Sequence, residues 1–353
     1  MNRSDTALDL VSGLALAGAA AAMLVRPRHV TAIARSPLIP MTSRLASGAS
    51  RGLLRRLAPP PRPRGARKLA RLISGYGASR TVVQTAGRRL NGSAGLLAFS
   101  VLADSAVEHY RGSFQNRAMY TPLVAATLTL GASVFGMADK RAARHPVRDT
   151  VYGAAAATGL AGLGFHAYNI LKRPSHLSWL NLFYAAPIGA PMALALAGLL
   201  GRGAEKVRDT PYRRRASIFG LSAGRMLAGV SAAGLAGTVG EAGLLHFRGA
   251  FHNPFMVAPV TLPPLAAVLL SAAAAFPGRA INHLARWWLR LTALLGFAGV
   301  GFHAYGVSRA MGGWRNWSQN VVDGPPLPAP PSFTGLALAG LAALALIEEE
   351  RNG

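Results

Sequence analysis

Nine long apolar stretches occur in this 353-residue chain, and each approaches the length of a transmembrane helix. A helix needs about 20 apolar residues to cross the hydrocarbon core of a bilayer. Charged residues make up only 14% of the chain, whereas a soluble domain carries roughly 25%. The stretches lie near residues 8–25, 94–110, 118–138, 150–171, 177–201, 226–247, 254–277, 287–308 and 329–347. The sequence therefore predicts an all-α integral membrane protein with about nine transmembrane helices.

The first stretch resembles the core of a secretory signal peptide, because an alanine run at 20–22 ends it. However, Asp5, Asp9 and only one arginine, Arg3, lie on its N-terminal side, so the usual basic start is weak. We expect residues 1–25 to be a retained helix.

A basic segment follows, in which residues 26–90 hold fourteen arginines and Lys68 but no acidic residue. The run APPPRPRG at 58–65 predicts an extended break. After it, residues 67–73 alternate apolar and basic side chains at helical spacing, which is typical of a helix lying on anionic lipid. Nucleic-acid binding is the alternative, but basic residues beside a membrane span are far more often topology signals.

The loops alternate between strongly and weakly basic. The strongly basic ones are 26–90, 139–149, 202–215 and 279–286, and the weakly basic ones are 111–117, 172–176, 248–253 and 309–328. The positive-inside rule places the first set in the cytoplasm. This predicts an N-terminus outside and a C-terminus inside. The richness in Ala, Arg and Gly suggests a GC-rich bacterial genome, and hence a bacterial inner membrane.

One block of the sequence recurs 137 residues later. EHYRGSFQN at 108–116 matches LHFRGAFHN at 245–253, and GLGFHAY at 162–168 matches GVGFHAY at 299–305. After a short insertion, 187–198 resembles 326–340. The recurrence predicts two four-helix repeats in the same orientation, because each contains an even number of spans. The expected organisation is an N-terminal helix at 1–25, a basic segment at 26–85, repeats at 86–202 and 223–347 joined by a basic linker at 203–222, and a tail at 348–353.

The polar residues that the two copies share are the candidate site residues: Asp104 with Glu241, His109 with His246, Arg111 with Arg248, Asn116 with Asn253, and His166 with His303. Most other shared residues are Gly, Ala and Leu, which helix packing in a membrane explains. The four histidines fall at similar depth on two helices of each copy. Two such histidines are the arrangement that ligates the iron of a b-type haem.

The haem prediction has a structural alternative, in which each histidine only bonds a carbonyl or a carboxylate on a neighbouring helix. Glycines before His166 and His303 would let a macrocycle approach the backbone, and they would equally serve helix packing. A copper site that combines His109 with Met119 has weak support, since no tight ligand spacing is present. The absence of cysteine excludes disulfides, thiolate-bound iron–sulfur clusters and covalently attached haem.

Asp104 and Glu241 are ionisable groups inside predicted spans, where such groups are costly and usually functional. They are expected to carry protons, to orient histidines, or to contact a quinone head group. Arg111 and Arg248 at the outer face would reach lipid phosphates, bind haem propionates or dock a partner. Asn116 and Asn253 are expected to cap the turn before the next helix.

The sequence thus predicts a membrane subunit that binds b-type haem and passes electrons between a redox partner at the outer face and the quinone pool. The alternatives are a proton- or ion-coupled small-molecule transporter and a non-catalytic anchor or assembly subunit. No phosphate loop, HExxH or GxSxG motif occurs, so a self-sufficient enzyme is disfavoured relative to a subunit.

Overall fold

The computed structural model describes residues 64–185, 187–210 and 215–352, with side chains described from residue 82 onward. The predicted helix at 8–25 and residues 26–63 of the basic segment lie outside them. The described chain is helical apart from turns and one hairpin. Its elements are α1 (Arg64–Arg111), α2 (Thr121–Ala138), α3 (Pro146–Leu171), α4 (Trp179–Tyr184), α5 (Gly189–Arg208), β1 (Ser217–Ile218), β2 (Leu221–Ser222), α6 (Ala223–Arg248), α7 (Leu262–Ala275), α8 (Arg279–Arg309), α9 (Trp317–Asp323) and α10 (Pro331–Asn352), with 3₁₀ turns at Arg117–Tyr120, Pro254–Val260 and Gly313–Asn316.

Six segments of the described chain are long and apolar enough to cross a membrane: Val82–Arg111, Arg117–Ala138, Ala223–Arg248, Pro254–Ala275, Arg279–Arg309 and Pro331–Asn352. They cover six of the nine predicted spans. The chain is therefore an all-α, multi-pass membrane protein. The stretch 150–171 is helical, within α3, but α3 does not belong to this set of six.

Two predicted boundaries differ from the structure for identifiable reasons. The stretch 177–201 is not one helix, since α4 ends at Tyr184 and α5 begins only at Gly189. Pro187 and Pro191 lie at this break, and proline removes the donor that a continuous helix requires. The linker predicted at 203–222 is partly helical, because α5 continues to Arg208 before the β1–β2 hairpin.

The first helix, α1, is 48 residues long. Pro63 immediately precedes it and no proline occurs within it, so nothing interrupts its backbone hydrogen bonds. The helix predicted at 67–73 and the span predicted at 94–110 are therefore parts of one continuous element.

Four helices, α1, α5, α6 and α10, form a central ring in which each packs against the next. α2 and α3 lie outside this ring against the first half of the chain (residues 86–202), and α7 and α8 lie against the second half (residues 223–347). Diagonal helices of the ring, such as α1 and α6, make little or no direct contact. The ring thus leaves its centre to the side chains that those diagonal helices direct inward.

Small residues bring the helices together at matched places in the two halves. A methyl group on Gly159 in α3 would overlap the backbone of Ala195 in α5. On Gly296 in α8, it would overlap Thr334 in α10. These pairs are offset by 137 residues in the third long helix and by 139 in the fourth. We use "matched positions" below for residues related by 137 up to residue 176 and by 139 from residue 178 onward.

Candidate functional site

His109 and His246 close the outer ends of α1 and α6 in the same way. The Nδ1 atom of His109 lies 2.6 Å from the carbonyl oxygen of Met119. The Nδ1 atom of His246 lies 2.8 Å from the carbonyl oxygen of Met256. Because a carbonyl oxygen only accepts hydrogen bonds, Nδ1 is the protonated nitrogen in both rings.

His166 and His303 make the same kind of bond one helix hairpin later. Nδ1 of His166 donates to the carbonyl of Pro187, which precedes α5. Nδ1 of His303 lies 2.7 Å from the carbonyl oxygen of Pro326, which precedes α10. All four histidines therefore join the end region of one helix to the segment that begins the next membrane helix.

Prolines explain why these four carbonyls need a side-chain donor. The N–H three residues after Met119 would belong to Pro122, and the N–H four residues after Pro187 would belong to Pro191. Proline has no N–H, so the usual 3₁₀ or α-helical donor is missing at each carbonyl. The second half repeats both spacings, with Pro259 after Met256 and Pro330 after Pro326. The imidazole N–H supplies the missing donor.

Within each half the two rings lie in one neighbourhood. His166 is within electrostatic range of His109, and His303 is within range of His246. All four side chains are half-buried. Among the described residues, no hydrogen-bond donor contacts their Nε2 atoms, which leaves each Nε2 lone pair available to a ligand.

The turns that follow His109 and His246 share their backbone conformation. Phe114 and Phe251 have φ of 46° and 45°, and each places its ring edge-on to the preceding histidine. Asn116 accepts a hydrogen bond from the backbone N–H of Ala118 at 2.9 Å. Asn253 caps the second turn through Phe255, and the predicted capping role of both asparagines is confirmed.

The two matched arginines have different partners. Arg111 donates to Glu108 at 2.9 Å, one turn earlier on α1. Arg248 donates instead to the carbonyl of Phe183 at 3.0 Å and stacks 4.8 Å from the ring centre of Tyr184. The position is shared by the two halves, whereas the contact is not.

Asp104 and Glu241 project from the diagonal helices α1 and α6 and lie within electrostatic range of each other. Glu241 lies against the backbone N–H of Gly189, in the first turn of α5, where a methyl group would overlap its carboxylate. A helix N-terminus stabilises a carboxylate there. The residue matched to Gly189 is Pro328, which has no N–H to offer Asp104. Among the described residues, no hydrogen-bond donor contacts Asp104.

Sequence reasoning missed a second matched pair, Asn181 and Asn320. The side-chain nitrogen of Asn181 donates to the carbonyls of Pro174 and His176, at 2.9 and 2.8 Å. That of Asn320 donates to the carbonyls of Met311 and Gly313, at 3.1 and 2.8 Å. Their spacing of 139 residues, rather than 137, hid the match. They fold the outer loops that precede α5 and α10.

Sequence reasoning also missed a buried ionic cluster in the first half. Arg148 binds both carboxylate oxygens of Glu205, at 2.9 and 3.0 Å, and also binds Asp139 at 2.9 Å. Arg208 is fully buried and donates to the carbonyls of Gly136, Asp139 and Arg141. The signal was the presence of acidic residues in loops that otherwise read as basic topology signals.

Asp139 lies in this cluster, between α2 and α3. Burial acts to raise the pKa of Asp139, but hydrogen bonds from the backbone and side chain of Arg141 and from Arg148 outweigh it. The pKa of Asp139 is consequently held well below its usual range. The cluster is thus a set of ionised groups.

No group of three or more His, Cys, Asp or Glu side chains able to hold a metal ion occurs within the described part of the chain. Comparison of the chain with protein-family models, with curated proteins and with solved structures finds no match.

Proposed function

We propose that the chain consists of an N-terminal span and two four-helix units, 86–202 and 223–347, related by an axis along the membrane normal. The matched hydrogen bonds of the four histidines support this arrangement, as do the matched turns and the matched close approaches at Gly159 and Gly296. With both units in one orientation, the basic ends face the cytoplasm of a bacterial inner membrane, with the N-terminus out and the C-terminus in.

We infer that the protein binds and releases a proton, or a small cation in its place, between these two units, as part of proton- or ion-coupled transport of a small molecule. The observation that carries the proposal is the meeting of Asp104 and Glu241 across the central ring. Ionisable groups inside a membrane are costly and mark ion or proton pathways. Two carboxylates at close range repel each other when both are ionised, so a shared proton or a bound cation relieves the repulsion.

The two carboxyl groups have different roles in this proposal. Glu241 is held at the N-terminus of α5 by the N–H of Gly189. Asp104 faces Pro328 at the matched position and lacks such a donor. Asp104 is therefore the group that exchanges the proton, and Glu241 is the fixed charge that makes the exchange favourable.

Infrared spectroscopy of the protein in nanodiscs tests this proposal, because a protonated carboxyl and a carboxylate have separate stretching bands. We expect a protonated-carboxyl band at a pH at which exposed carboxyl groups are ionised. Asp104→Asn should remove this band, and Glu241→Gln should shift or weaken it. Glu349→Gln, at the opposite end of the spans, is the matched control and should leave it unchanged.

The same measurement separates a proton from a metal cation. If Na⁺ competes with the proton, adding Na⁺ at constant pH should reduce the band in the wild type. If Asp104→Asn leaves the band intact, or if no band appears with and without added salt, the proposed site does not exist.

A second candidate function is electron transfer through b-type haem, and the four free Nε2 atoms favour it. Haem-ligating histidines commonly donate their Nδ1–H to a backbone carbonyl, which orients the ring and leaves Nε2 for the iron. His109 with His166, and His246 with His303, would supply the axial ligands. Arg111 and Arg248 would face the propionates, and haem would carry the electron.

An optical spectrum decides this candidate. Protein purified from haem-supplied cells should show a reduced-minus-oxidised spectrum of low-spin b-type haem, and His166→Ala should alter one haem and spare the other. A colourless, folded preparation would exclude haem, and the histidines would then serve only as helix fasteners.

A further inference from the structure

An open groove lies at the outer face, where the second half reaches over the end of α1. Its volume is about 660 Å³, within the range of small-molecule sites. The residues that line it are Tyr110, Arg111, Ser113, Phe114 and Tyr120 from the first half, and Val322 and Asp323 at the end of α9. Phe114 and Tyr120 stack 4.5 Å apart and form one wall. None of the four histidines lines this groove.

The matched place in the other half is filled. There α4 reaches over the end of α6, as α9 reaches over α1. The ring of Phe183 stacks on that of Phe247, with centroids 5.8 Å apart and planes 15° apart. Arg248 donates to the carbonyl of Phe183 and lies over the ring of Tyr184. Aromatic rings and one carbonyl oxygen thus occupy the space.

Two substitutions account for the difference. The residues matched to Phe183 and Tyr184 are Val322 and Asp323. The register is secure, because Asn181 and Asn320 make matched hydrogen bonds two residues earlier. Replacing two aromatic rings by an isopropyl and a carboxylate empties the space over Tyr110 and Arg111.

We propose that this groove binds a planar ring that carries carbonyl or hydroxyl oxygens, of the type found in quinone and quinol head groups. The filled half shows which interactions the place offers. A ring stacks on the aromatic residue at position 110 or 247, and a carbonyl oxygen accepts a hydrogen bond from the following arginine. In the open groove a quinone ring would stack on Tyr110, and its oxygen would accept from Arg111.

Asp323 adds a function that the filled half lacks. A carboxylate accepts hydrogen bonds, so it would receive the hydroxyl of a quinol while Arg111 binds an oxygen across the ring. Arg111 pairs with Glu108 through one of its nitrogens, and its guanidinium carries further N–H donors. Tyr110 is 65% exposed, which keeps its ring accessible.

The ligand has two possible sources, a lipid-soluble quinone from the bilayer and a water-soluble aromatic compound from outside. Calorimetric titration of the protein in nanodiscs tests both, with ubiquinone-1 as the soluble probe and a long-chain ubiquinone incorporated into the lipid. Saturable binding of ubiquinone-1 at one site per chain is expected. Competition by the lipid-borne quinone would identify the bilayer as the source, and its failure would identify the aqueous phase.

The other half provides matched variants. Val322→Phe combined with Asp323→Tyr places in the groove the side chains that fill its counterpart, and should lower affinity for ubiquinone-1 at least tenfold. Phe183→Val combined with Tyr184→Asp should open the second place and raise the stoichiometry from one to two. Both doubles use residues that the fold already holds at matched positions, and thermal unfolding checks that each is folded.

Binding that persists unchanged in the Val322→Phe, Asp323→Tyr protein would overturn the proposal, as would a folded wild type that binds neither probe. Neither result bears on proton exchange at Asp104, which the infrared measurement reports separately.

Discussion

Arg148 and Glu205 form a two-bonded ion pair, with N–O distances of 2.9 and 3.0 Å, on buried side chains 57 residues apart. At the matched positions the second half carries Ala285 and Leu344, which are both fully buried. The same architecture therefore encloses ions in one half and hydrocarbon in the other. An ionic cluster is consequently one way to fill this place and not a requirement of the fold.

Removing one member of this cluster should be strongly destabilising. Glu205→Leu leaves two buried arginines without their carboxylate, which costs about 3–5 kcal/mol. Replacing three members together, Arg148→Ala, Glu205→Leu and Arg208→Ile, installs the residues found at the matched positions and should recover most of the loss. Thermal unfolding in detergent measures both. A triple variant less stable than Glu205→Leu would show that the two halves are not interchangeable here.

Gly189→Ala should displace the carboxylate of Glu241. The added methyl would overlap that carboxylate, so the side chain must move away from the N-terminus of α5. We expect a loss of about 1–3 kcal/mol in stability and a change in the infrared band assigned to Asp104. Gly164→Ala is the control, since a methyl there meets nothing within 4 Å. Equal behaviour of the two variants would argue against the placement of Glu241.

His109→Ala should lose stability because it leaves the Met119 carbonyl without its donor, at a cost of about 1–3 kcal/mol. In a Pro122→Ala background the backbone regains an N–H at position 122, so the same histidine change should cost less. A double-mutant cycle with a coupling of about 1 kcal/mol would support the fastener role. Additive effects would show that the proline is not the reason for the histidine bond.

The stabilising effect of Asp139 should depend on pH with a definite sign. Its pKa is lowered in the folded protein, so its contribution is present above the pKa of the unfolded chain, about 3.9, and is lost as pH falls through the lower folded value. Asp139→Asn should therefore destabilise by a constant amount from pH 7 to about pH 5, and by less below about pH 4. A difference that grows on acidification would contradict the lowered pKa.

Orientation can be measured by cysteine labelling, because the native chain has no cysteine. Ser113→Cys, in the turn after α1, should react with a membrane-impermeant reagent applied from outside. Ala143→Cys, in the loop between α2 and α3, should react only after the membrane is opened. The reverse pattern would invert the proposed topology.

Much of the helical framework was predictable because its causes are local. Apolar stretches indicated six spans that the structure contains, and the asparagine caps followed from residue type and position. The error at 177–201 had a local cause as well, since Pro187 and Pro191 were visible within an otherwise apolar run. The pairing of the shared histidines with carbonyls was one of two open alternatives, because a sequence does not show which atom a side chain reaches.

The sequence by itself determined where apolar helices form, where prolines remove backbone donors, and which residues recur at a spacing of 137. Only the tertiary structure decided how those residues are used. It brought Asp104 near Glu241, closed the ion pair between Arg148 and Glu205, and filled one outer groove with Phe183 while leaving the other open over Tyr110. The physical reason is that each of these contacts joins helices far apart in the chain, so it depends on how the helices pack and leaves no periodic pattern in the residues themselves.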